Sequence, residues 1–237
     1  MIVTITFANL TRENQLPDIR NRCRLVLIAS PAGEVPASKQ AITSALEGGD
    51  VASVLLAQLN AREDEFRNWC EEVVPVIQTA NAAAIIVDDT QAAGRAKADG
   101  VHITGGKQAV FEAIAKFTPR MIVGTGTSHS RHHALELGEE RPDYLFIGKL
   151  DGDTQPATNP KALELAEWWA SMIEIPCILM AGYDAQSVIP AAQSGAEFVA
   201  VAAAVFGNGR IPKEAVTSIN ALLEEYAPEL TEGTDED

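Results

Sequence analysis

The sequence predicts a single (β/α)₈ TIM barrel carrying a short N-terminal extension and an acidic C-terminal tail. Short runs rich in Val, Ile, Leu and Ala recur at a steady interval along the 237 residues, each followed by a longer stretch that mixes apolar and charged side chains. Runs such as Leu25-Val26-Leu27-Ile28 and Ala84-Ile85-Ile86-Val87 are apolar without alternation, the pattern of parallel strands covered on both faces. There are eight such runs, the number that closes a barrel, whereas a doubly wound open sheet more often uses about five to seven.

The runs span residues 24–29, 51–56, 84–87, 100–103, 120–124, 143–147, 176–181 and 198–202. Between them lie helical stretches with recognisable ends. Ser38 precedes a helix over 39–47 that Gly48-Gly49 closes, and a further helix begins near Thr90. Ser130 precedes 131–137, closed by Gly138, and Asn159-Pro160 pairs a cap with proline at the first helical position. Asp184 precedes 185–194, closed by Gly195. These are the residues that satisfy orphan N–H groups at helix starts and left-handed backbone at helix ends. Residues 1–21 read as an extension, 22–226 as the barrel, and 227–237 as an acidic tail expected to be frayed; from Glu224 onward the chain carries seven acids and no base.

Thirty-three Asp and Glu against 18 Lys and Arg give a formal charge of −15. That balance repels a phosphate backbone and offers no basic stripe, so neither nucleic acid nor an anionic lipid surface is an expected partner. The apolar opening is too short to cross a bilayer, and the three separated cysteines, Cys23, Cys70 and Cys177, suit reduced thiols in a cytoplasm. Gly124-Thr125-Gly126 is followed by His129 where a dinucleotide fingerprint needs glycine.

In such a barrel the chemistry lies at the C-terminal ends of the strands. Asp88 and Asp89 follow the third run; one of them could face the mouth and hold magnesium, or either could simply cap the next helix. Thr127, Ser128, His129 and Ser130 follow the fifth, with His129 a candidate general acid or base and the hydroxyls candidate phosphate donors. His132 and His133 fall inside the helix and read as solvated surface. Lys149 after the sixth run is the best-placed cation. Ala181-Gly182 and Ala203-Ala204 are small residues that suit either backbone binding of phosphate or tight strand-to-helix packing.

Several phrases taken together resemble the thiamine phosphate synthase and thiazole tautomerase family. They are Ile85-Ile86-Val87-Asp88-Asp89, Ala98-Asp99-Gly100-Val101-His102-Ile103, Val123-Gly124 leading to Thr127-Ser128-His129-Ser130, residues 142–148, and residues 194–201. The resemblance runs from about Arg24 to Phe206. It implies a barrel whose synthase members join an aminopyrimidine pyrophosphate to a thiazole phosphate with magnesium, hence a small phosphorylated metabolite as partner, with a homo-oligomer left open. Asp88 matches the metal-binding aspartate, and Thr127 matches a phosphate-binding serine. The chain also departs from the family pattern. The Gln-x-Arg-x-Lys phrase after the second strand has become Leu55-Leu56-Ala57-Gln58-Leu59, Asp89 stands in place of an arginine, Lys107 in place of a second metal carboxylate, Ala181 in place of a glycine and Ala203 in place of a serine. Two further readings therefore stand beside the synthase: a tautomerase-like isomerase using His129, and a non-catalytic barrel that binds a small ligand.

Overall fold

The protein is described by a computed structural model covering residues 22–127, 130–151 and 154–230. The N-terminal extension, Ser128, His129 and the tail beyond residue 230 lie outside the described residues. Eight parallel strands close a barrel in sequence order: β1 (Arg24–Ala29), β2 (Ser53–Leu56), β3 (Ala83–Val87), β4 (Gly100–Ile103), β5 (Ile122–Thr127), β6 (Tyr144–Ile147), β7 (Cys177–Met180) and β8 (Phe198–Val201). The ring closes through β1 and β8, with Arg24 opposite Phe198 and Leu27 opposite Val201. The helices between them are α1 (Val35–Leu46), α2 (Glu63–Thr79), α3 (Thr90–Ala96), α4 (Lys107–Phe117), α5 (Arg131–Gly138), α6 (Pro160–Met172) and α7 (Val188–Gln193), and α8 (Ala203–Phe206) and α9 (Pro212–Tyr226) follow the last strand.

The unbroken apolar runs have a direct cause in the two cores. Alternate strand residues such as Leu25, Leu27, Leu56 and Ile86 pack outward against the helices, while Val26, Ile28, Leu55, Ile85, Phe146 and Met180 fill the barrel interior. With both faces buried, period-two alternation has no polar side to show.

Some boundaries differ from the expected ones. Strand β5 runs on to Thr127 rather than stopping at Gly124, because its glycines make room for neighbours. A Cβ on Gly124 would lie 2.0 Å from the Tyr144 ring, and one on Gly126 would lie 3.1 Å from His102 Nε2. Helix α1 begins at Val35, with Pro36 in its first turn, and not after Ser38; the Ser38 hydroxyl instead accepts a hydrogen bond of 2.9 Å from Trp69 Nε1. The segment after Asp184 opens with a 3₁₀ turn over Ala185–Ser187 before α7. Ser130 and Asn159 cap α5 and α6 through their side chains as the sequence suggests. Glu224, in the last turns of α9, pairs with Arg22 at 3.0 Å, and Glu229 bridges Arg22 through the backbone.

Candidate active site

The mouth of the barrel is formed by the loops after the strands, and its best-defined group is Asp88. The Asp88 N–H continues the sheet by donating to the His102 carbonyl at 2.9 Å, but φ then swings to +58°. This left-handed turn, uncommon outside glycine, asparagine and aspartate, points Asp88 and Asp89 in different directions. Asp88 is exposed and spans the gap to the β4 loop: its Oδ1 accepts from the Thr104 N–H at 2.8 Å and its Oδ2 from the Thr104 hydroxyl at 2.6 Å. Asp89 caps α3, accepting from Gln91 N at 3.0 Å and Ala92 N at 2.9 Å, and its other oxygen takes Arg67 Nε of α2 at 2.6 Å. Burial would raise the Asp89 carboxyl; the Arg67 guanidinium and the two N–H donors outweigh it and hold the group below its usual range.

The cations are mostly engaged elsewhere. Arg67 also pairs with Glu63. Lys107, at the start of α4, pairs with Glu139 and Glu140 near the end of α5, and its ammonium is held above its usual value chiefly by the Glu139 hydrogen bond. Lys149 is exposed after β6 and has no ion-pair partner among the described residues. Also among the described residues, no three His, Cys, Asp or Glu side chains converge on a point that could hold a metal. His132 is exposed and His133 half-exposed, each beside Glu136.

At the β7 end Gly182 is buried, and its N–H donates to Ser187 Oγ at 2.9 Å. A Cβ there would meet the Pro156 carbonyl oxygen at 2.2 Å, so glycine is required for a close chain crossing. The loop after β6 is fastened over this point: Tyr183 N donates to Gln155 O at 2.9 Å and Asp184 N to Pro156 O at 3.1 Å, while the buried Thr158 hydroxyl donates to Ser187 O. Ala181 and Ala204 are buried, and Ala203 lines a cavity of about 530 Å³ on the β8–β1–β2 side of the mouth.

One group was not singled out from the sequence. His102 of β4 is 1% exposed, stacked on Tyr144 and edge-on to Phe146 inside the barrel, with Nδ1 3.0 Å from the Tyr144 hydroxyl. Burial pushes its imidazole down to about 4, against a smaller opposing pull from the Asp88 charge, so it is neutral at pH 7. Its place in the strand phrase 98–103 was visible; its inward direction follows only from barrel register.

Comparison with known proteins assigns the chain to a family. The sequence profile described as thiamine monophosphate synthase matches residues 25–205. The chain belongs to the thiamine monophosphate synthase family. A thiamine-phosphate synthase of Rhodospirillum centenum is 32% identical over 203 residues, covering 85% of this chain and 98% of that protein. One from Hyphomonas neptunium is 33% identical, covering 88% of this chain and 97% of its own length. Among solved structures, the thiamine phosphate pyrophosphorylase of Pyrococcus furiosus superposes with a TM-score of 0.72 at 22% identity, covering 89% of this chain and 100% of that one; at that identity the likeness speaks for the fold. No helix among the described residues is long and apolar enough to cross a membrane.

Proposed function

We propose that this barrel performs the reaction for which its relatives are named, joining an aminopyrimidine pyrophosphate to a thiazole phosphate with release of diphosphate. The observation that carries the reading is the Asp88–Thr104 pairing at the adjoining ends of β3 and β4. Thr104 takes one lone pair from each Asp88 oxygen, so the carboxylate is fixed in direction yet keeps acceptor capacity toward the mouth. Magnesium asks for one or two carboxylates, with substrate phosphate oxygens and water completing its shell, and Asp88 fits as a single-carboxylate holder. A magnesium ion bound there would offset the charge that gathers on the departing diphosphate.

The chain's own groups take the remaining work. Lys149 supplies a cation to the phosphates. The Thr127 and Ser128 hydroxyls donate to the thiazole phosphate and Ala203, which lines the cavity at the mouth, lets it approach closely; Ala181, Gly182 and Ala204 are buried and shape the backbone nearby. With the Gly182 N–H already donated to Ser187, that glycine contributes shape more than hydrogen bonds. His129 orients the ring or moves a proton during coupling. The apolar lining at Leu59 favours a second reading, ligand binding without turnover.

An assay with both substrates and magnesium separates the two. We expect thiamine phosphate and diphosphate to form, chelation of magnesium to stop the reaction, and Asp88→Asn to lower kcat/KM by about 10²-fold with the fold retained by circular dichroism. No product above background at saturating substrates would leave the binding reading in its place.

A further inference from the structure

A groove of about 480 Å³ lies between the closing turns of α1 and α2. Each helix of a barrel returns from the mouth to the opposite rim, so the groove lies toward the rim where the strands begin. Leu46, Pro75, Val76 and Ala80 give it an apolar surface, and Leu46 and Val76 are only half-buried. Its acids, Glu47, Glu71 and Glu72, are exposed. Lys39 answers Glu72 at 2.9 Å and Lys213 of α9 answers Glu47 at 3.2 Å, but Glu71 has no ion pair among the described residues. Pro75 has no N–H, so the Glu71 carbonyl also lacks the donor that position 75 of a helix normally supplies.

The chain enters the barrel at that same rim. Arg24, at the start of β1, pairs with Asp50 at 2.7 Å, and Asp50 stands three residues beyond Glu47 at the edge of the groove, a span of at most roughly 11 Å. The residues before Arg22 lie outside the described ones, and the family profile begins only at residue 25. Residues 11–21 can reach up to roughly 36 Å, ample to bring residues 2–10 to the groove. That stretch holds Ile2, Val3, Ile5, Phe7 and Leu10 and no charged side chain; Arg12 follows it, and no acid precedes Glu13. An apolar stretch followed by a cation complements an apolar groove edged with an excess of acids. A second copy of the chain would instead bring the surface of a protein with net charge −15 against that acidic edge.

We propose that residues 2–10 of the same chain occupy the groove between α1 and α2, with Arg12 set against Glu71. The segment covers apolar surface that the barrel alone leaves to water, and it ties α1 to α2 on the side away from the mouth. This docking does not depend on what the mouth binds or turns over.

Hydrogen–deuterium exchange on the full chain tests it. Amides of residues 2–10 should exchange at least about tenfold more slowly than in an unprotected chain, and equally so at low and high protein concentration. Phe7→Glu, a change ahead of the barrel, should remove that protection and speed exchange over residues 71–80 while leaving α4 and α6 as they were. Glu71→Arg should cut the protection by about threefold, the scale of an exposed ion pair, and adding Arg12→Glu should restore it. Unprotected amides over 2–10, exchange over 71–80 that ignores Phe7→Glu, or a Glu71→Arg loss that Arg12→Glu fails to restore would each overturn the proposal. So would protection that grows with protein concentration, which would make a second copy the occupant.

Discussion

At Asp89 one carboxylate takes two helix N–H groups and a guanidinium, so its removal strips three partners at once. The side chain is only 10% exposed and that of Arg67 21%, which keeps the pair partly out of water and distinguishes it from ordinary surface ion pairs. Loss of the cap alone costs about 1 kcal/mol, and leaving Arg67 with only the exposed Glu63 adds to it. We expect Asp89→Ala to lower unfolding stability by about 1–3 kcal/mol, read from urea denaturation midpoints, and Arg67→Met to cost less because the cap survives. Equal losses in the two variants would contradict this division. The two aspartates also mark how far a sequence can be read at this scale. Adjacent carboxylates in extended chain point apart, so one at the mouth and one at the helix was foreseeable. Which did which was not, since it turns on the positive φ at Asp88, and an aspartate states no backbone preference strong enough to betray that.

At the scale of elements, carboxylates standing ahead of the even strands tie down the odd ones. Asp50, ahead of β2, pairs with Arg24 at the start of β1. Asp99 accepts from Ala84 N at 2.8 Å, Asp143 from Val123 N at 2.7 Å and Glu197 from Cys177 N at 2.8 Å. The barrel is thus stitched in strand pairs at the rim opposite the mouth, where conserving the geometry serves stability. The strands were legible because burial on both faces leaves long apolar runs, and helix starts were legible where Asn159 or Ser130 caps directly. Boundaries alone were misplaced: the end of β5, where glycine hides the strand period, and the start of α1, where Ser38 resembles a cap but serves Trp69. Strand β5 yields a sharp test. A methyl group at position 124 would sit within 2.0 to 2.4 Å of three Tyr144 ring atoms, and that ring is fully enclosed. Overpacking of this kind costs about 1–3 kcal/mol, so Gly124→Ala should lower the urea midpoint by a corresponding amount. The added change Tyr144→Leu should relieve part of the clash, giving a favourable coupling between the two sites. Additive losses would mean that the strand, rather than the ring, absorbs the methyl group.

Across the whole molecule, pH acts on stability through groups pulling in opposite senses. Burial raises the carboxyls of Asp143 and Glu197, with backbone hydrogen bonds opposing. The folded chain therefore takes up those protons before the unfolded chain does, and stability rises as pH falls through their raised values toward the usual carboxylate range. His102 works against this. Its imidazole is held neutral down to about 4, while in the unfolded chain it protonates near 6.5. Below about pH 6.5 the unfolded state binds the extra proton, so stability is lost progressively until pH 4 and no further. A shift of this size corresponds to roughly 3 kcal/mol at pH 4, of the same order as the whole stability of a marginal domain. The strongly acidic composition points the other way, because protonating carboxylates relieves self-repulsion in the compact state. Comparing wild type with His102→Asn across pH 4 to 8 isolates the histidine, since apart from the smaller pull of Asp88 on the imidazole the carboxylate effects are common to both chains. The difference in unfolding free energy should be flat above about pH 7 and should close by roughly 3 kcal/mol in favour of the variant by pH 4. A difference that stays constant across the range would mean that His102 takes up its proton equally in both states, and that the cage of Tyr144, Phe146 and Gly126 around it admits a charged imidazole.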